Sequence, residues 1–129
     1  MSEYLDKKKF LQKVFNYIED DNLTYKGLKP CIIDFYADWC EPCLAMEPLL
    51  EEISLLHGEY LDVYRVDTQR EAGLSKFFGI HNIPTLFFVP MTGQPTIVTG
   101  FLSRQDLISN INIFLTCIIH KRHEFKNVV

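Results

Sequence analysis

Long apolar runs are what this chain most conspicuously lacks. No stretch approaches the ~18 consecutive apolar residues that mark a membrane-spanning helix. The greasiest segment, INIFLTCIIH, is interrupted by Asn112 and Thr116. The opening residues, MSEYLDKKKF, hold no apolar core like that of a secretory signal. The expectation is a protein that stays where it is made, in the cytoplasm, or one exported if a leader was removed. Positive charge is also short: 13 Lys and Arg against 17 Asp and Glu give a net charge of −4. Nucleic-acid binding needs clustered cations to neutralise phosphates. The short runs Lys7-Lys8-Lys9 and Lys121-Arg122 read instead as solvated helix ends. No nucleotide motif, repeat, low-complexity tract or internal linker is visible. Four cysteines are too few for a disulfide scaffold. What remains is 129 residues, 47% of them hydrophobic, enough for one domain with its own core.

Periodicity gives the order of elements. Phe10, Leu11, Val14, Phe15 and Ile18 recur at helical spacing, predicting an amphipathic helix over 6–19. A loop closing on Pro30 leads to CIIDFYA (31–37), a nearly continuous apolar run typical of a strand covered on both faces. Met46, Leu49, Leu50, Ile53 and Leu56 predict a helix over 41–57 with Glu47, Glu51 and Glu52 outward. Pro48 inside it removes a hydrogen bond and predicts a kink. YLDVYRV (60–66) reads as a strand and 69–78 as a short helix ending at Gly79. TLFFV (85–89) and TIVTG (96–100) read as a hairpin. Ser103 with Asp106 forms a capping box for a last helix carrying Leu107, Ile111, Phe114, Leu115 and Ile118. The fold class is therefore an α/β sandwich around a mixed sheet.

Cys40 and Cys43 stand at the entry of the 41–57 helix. A thiol attacks a disulfide only as thiolate, and the free N–H groups and dipole of a helix N-terminus favour that anion. Two residues between the sulfurs allow a small ring to close, so one can form a mixed disulfide and the other resolve it. Pro42 suits a first helical turn, where its missing N–H is no loss. The pair is equally half of a common zinc site. His120 and His123, the pair that would have to complete it, lie some eighty positions away at a spacing one residue short of the usual one.

DFYADWCEPC, then GIHNIPT, then a hairpin ending at TGFLS resembles the thioredoxin family over roughly residues 31–116. No clear first strand is visible, and 120–129 read as an appended tail to this single domain. The resemblance implies a thioredoxin fold, with four or five strands sandwiched by about four helices. It implies a thiol:disulfide oxidoreductase with no bound cofactor or metal beyond a redox-active Cys40–Cys43 disulfide. Cys40 would attack and a buried Cys43 would resolve. Asp34 matches the family's buried carboxylate, whose pKa burial should raise until it exchanges protons near neutrality. Pro84 matches the family's cis-proline, leaving the backbone of Ile83 open to an extended substrate segment. Trp39, Ile83, Pro84, Gly100 and Phe101 would line that apolar surface. Partners would be disulfide-containing proteins and an NADPH-dependent thioredoxin reductase, with the chain acting as a monomer. A non-catalytic adaptor module and an exported reductase or isomerase are the alternatives.

Three departures from the family pattern make the site less positive: Glu41 precedes Pro42 where glycine is usual, Leu44 follows Cys43, and Val63 stands where a lysine commonly sits near the buried acid. A helix terminus stabilises an anion by about 0.3–2 kcal/mol. A carboxylate about 8 Å away opposes it by about 2 kcal/mol before screening. Glu41 is thus expected to raise the Cys40 pKa and make the pair more reducing. Cys31 and Cys117 read as buried or half-buried small hydrophobes.

Overall fold

The computed structural model describes residues 1–128, with side chains described through Cys117; Ile118, Lys121, Arg122 and both C-terminal histidines, His120 and His123, lie outside the described side chains. In chain order the elements are β1 (Glu3–Tyr4), α1 (Lys7–Lys13), β2 (Cys31–Tyr36), α2 (Glu41–His57), β3 (Asp62–Asp67), α3 (Ala72–Phe77), β4 (Thr85–Val89), β5 (Thr96–Thr99) and α4 (Arg104–Val128). The sheet runs β1-β3-β2-β4-β5. β1 and β2 pair with β3 in parallel, and β4 runs antiparallel to both β2 and β5.

β2 lies at the centre with all six residues buried. Because strand side chains alternate, Cys31, Ile33 and Phe35 join Phe10, Val14, Phe15, Leu74 and Phe87 in one core. Ile32 points the other way and packs with Met46, Leu50 and Ile53 of α2, Leu86 and Phe88 of β4, and Leu107 and Ile111 of α4. Two cores, one per face, are what an apolar run without alternation requires.

Two expectations need correction. A first strand exists: β1 pairs Glu3 with Tyr64 and Tyr4 with Arg65. Two residues are too few to show a period. The first helix ends at Lys13 rather than residue 19. The Asn16 side chain accepts from the Glu19 N–H at 3.2 Å, offering the backbone a turn in place of another helical hydrogen bond. Val14 and Phe15 are still buried, but Ile18 is exposed. The last helix starts as its cap requires, with Ser103 Oγ accepting from the Asp106 N–H at 3.1 Å. Its backbone continues to Val128, through most of the segment read as a tail.

Candidate active site

Cys40 and Cys43 are joined by a disulfide, their Cα atoms 5.2 Å apart. Cys40 is the N-cap of α2, and its sulfur accepts the Cys43 backbone N–H at 3.3 Å. The same sulfur that would carry negative charge on reduction therefore already meets a helix-terminal donor. Cys40 is 5% exposed and Cys43 0%, so in the bridged state both are sheltered and only the outer sulfur retains access. Pro42 falls in the first turn, where its missing N–H costs nothing.

The Ile83–Pro84 peptide bond is cis. The Ile83 carbonyl oxygen lies 3.9 Å from Cys40 Sγ; a bridged sulfur has no hydrogen to donate, so this is a contact. Ile83 packs on the cluster formed by Tyr36, Ala37, Cys40 and Cys43. Gly100 adopts φ +101°, a region that favours glycine, and its N–H donates to the Pro84 carbonyl at 2.8 Å. The end of β5 is thereby fastened to the proline beside the sulfurs. Trp39 is 69% exposed and Phe101 52% exposed. Large apolar side chains left in water next to a reactive pair are groups available to a partner.

Asp34 is fully buried. It faces the α2 side of the sheet, and its register partner on β3 is Arg65. Arg65 Nε donates to Asp34 Oδ2 at 3.2 Å. Burial pushes the Asp34 pKa up to about 6, against the opposing pull of the guanidinium. Arg65 is the neighbour of Asp34 that the sequence reading missed. Val63 is buried and apolar, as its identity demands, but Arg65 lies two residues on along the same strand and so on the same face. The loss of positive charge expected at the carboxylate does not occur. An arginine within the buried run Val63–Val66 was the available signal, since such a residue is rarely buried without an anion. Glu47 is a second correction: it is half-exposed rather than wholly outward, its Oε1 3.0 Å from Arg65 Nη1.

Glu41 and Leu44 are exposed. Cys31 is free and fully buried, and burial pushes its thiol up to about 12. Cys117 is free and exposed, contrary to expectation, because it lies off the apolar face of α4. Among the described residues no cluster of metal-ligating side chains occurs, and no helix is long and apolar enough to cross a membrane.

The Thioredoxin family model matches residues 7–113. A thioredoxin from Borreliella burgdorferi is 39% identical over 111 residues, covering 86% of this chain and 94% of that one. The chloroplastic thioredoxin Y of Oryza sativa is 37% identical over 92 residues, 70% of this chain and 54% of its own length. Among solved structures, chloroplastic thioredoxin z superposes with a TM-score of 0.72 at 20% identity, covering 89% of this chain and 95% of that one, a likeness of fold. A mutant thioredoxin from Halobacterium salinarum gives 0.68 at 26% identity, covering 88% and 89%. A match that runs from the first helix into the last, around a bridged cysteine pair capping α2, makes this chain a member of the thioredoxin family, whose members are protein-disulfide oxidoreductases.

Proposed function

We propose that this thiol:disulfide oxidoreductase works mainly as a reductant, with Cys-Glu-Pro-Cys as its active-site sequence. The Cys40 thiolate attacks a disulfide in another protein, forming a mixed disulfide and releasing one substrate thiolate. Cys43 then gives its proton to Asp34 and attacks Cys40 Sγ. The Cys40–Cys43 bridge closes, and the second substrate sulfur leaves with the bonding electron pair. Two electrons have passed from the pair to the substrate.

The observation that carries this reading is the asymmetry of the pair. Cys40 is capped by a backbone N–H and in contact with Ile83, while Cys43 is sealed beneath it. Trp39, Ile83, Pro84, Gly100 and Phe101 form the surface on which an extended substrate segment would lie, adding a strand-like pairing to the Ile83 backbone. Electrons would arrive from an NADPH-dependent flavoprotein, a thioredoxin reductase, in a reducing compartment such as the cytoplasm. The chain would act as a monomer.

Trapping with Cys43→Ser tests the roles directly. The variant should accumulate mixed disulfides through Cys40, and Cys40→Ser should accumulate none. Equal trapping by both variants would reverse or abolish the assignment, and an empty trap would favour a non-catalytic adaptor.

A further inference from the structure

Asp34 is gripped by a cation to which the exchange described above gives no part. Besides its bond to Asp34, Arg65 donates through Nη1 to Tyr4 Oη at 2.9 Å and pairs with Glu47 Oε1. Two aromatic rings flank the guanidinium, its Cζ 4.4 Å from the Tyr36 centroid and 5.3 Å from that of Tyr4. The side chain is 2% exposed. A charge so enclosed is costly unless it is partnered, and residues of β1, β2 and α2 all partner it.

The placement ties this cation to the sulfurs. Glu47 follows Cys43 by four residues on α2, so both project from one helical face. Tyr36 supplies the second link: its ring lies 4.4 Å from the guanidinium and packs in one buried cluster with Cys40 and Cys43. The ion pair also divides the carboxyl group. Oδ2 is taken by Arg65, whereas Oδ1 is buried with no hydrogen-bond partner among the described residues.

We propose that Arg65, clamped between Tyr4 and Glu47, is a positioning residue for thiol exchange: it orients the Asp34 carboxyl, commits Oδ2, and leaves Oδ1 as the oxygen that takes the proton of Cys43. The proposal rests on the reading of Cys43 as the resolving thiol. In the step concerned, the S–H bond of Cys43 breaks and its proton passes to Oδ1. The new thiolate displaces the substrate sulfur from Cys40, and that sulfur leaves as a thiolate. Arg65 favours the carboxylate form of Asp34 and Glu47 disfavours it, so the two should act in opposite directions. The groups around the carboxyl are Arg65 from β3, Glu47 from α2, Tyr4 from β1 and Tyr36 from its own strand. β4 contributes only Leu86 at this register, α4 packs on this face through Leu107 and Ile111, and Asp67 is paired with Arg70.

The test is to titrate the Asp34 side-chain carboxyl by carbon NMR in the intact protein, and to measure insulin-disulfide reduction with dithiothreitol over the same pH range. Arg65→Gln should raise the carboxyl midpoint by about one pH unit or more, and the inflection in rate should move with it. Glu47→Gln should lower both, and Arg65→Lys should restore most of the wild-type position. A merely structural role would slow the reaction without opposite displacements of the midpoint. An unmoved midpoint in Arg65→Gln overturns the proposal. Should that variant fail to fold, an unmoved or raised midpoint in Glu47→Gln overturns it equally. Wild type that reduces insulin while the midpoint ignores Arg65 refutes this proposal alone. Wild type that leaves insulin unreduced refutes the reductase reading, and this proposal with it.

Discussion

At the scale of single residues, the buried acid makes a prediction about stability as well as chemistry. A carboxyl that ionises at about 6 in the folded chain and at 3.8 in its ordinary state binds an extra proton on folding between those values. Stability therefore falls as pH rises through that window, and the loss is complete above about 6. At 1.36 kcal/mol per pKa unit, this group removes up to about 3 kcal/mol. Asp34→Asn should lack that dependence, because an amide binds no proton in this range. Urea unfolding at pH 4.5 and 7.5 checks it: equal pH dependence in both proteins would contradict the argument. Glu41 sits in water at the head of α2, where screening weakens its field. Glu41→Gly should lower the Cys40 pKa by a few tenths of a unit, read by thiolate absorbance in the reduced protein. An unchanged or raised value removes Glu41 as a tuning group.

At the scale of elements, caps and periods decided what could be read from the letters. The 41–57 helix was legible to the residue because Pro42 stands in the first turn after its capping cysteine and Met46, Leu50 and Ile53 repeat a buried helical spacing, although Leu56, read with them, is exposed. β2 was legible because six consecutive residues are buried on two faces. α1 was not, since Val14 and Phe15 remain buried after the helix has stopped, and burial alone keeps the helical pattern alive in the sequence. β1 escaped because two residues show no period, and the partner of Arg65 escaped because it lies on a distant strand, which no local window contains. The exposed caps offer a clean energetic check. Asp6 accepts the Lys9 N–H at 2.8 Å at the start of α1, and Asp6→Ala should cost about 1 kcal/mol. Chemical denaturation that detects no loss would show that α1 is held by Phe10 and its neighbours alone.

At the scale of the whole molecule, the two cores separate four cysteines into three environments. The bridged pair is sheltered by α2, Cys31 is sealed in the core beneath α1 and α3, and Cys117 lies on the outside of α4. In the oxidised native protein a thiol-specific reagent should label Cys117 quickly. Cys31 should react only as the molecule opens, because it is buried and its thiolate is disfavoured. Counting labelled thiols by mass before and after adding urea checks this. Rapid loss of both thiols in the folded state would mean that the Cys31 core opens far more readily than its packing implies.

Trp39 is the sole tryptophan of the chain, it stands in water, and its neighbour in sequence is a sulfur of the bridge. The molecule thus carries its own optical gauge. Indole emission originates from one place only, beside the bond that opens and closes. Its intensity in a stopped-flow cuvette can follow each turnover without a label, and any shift on mixing with a partner reports contact at that one face.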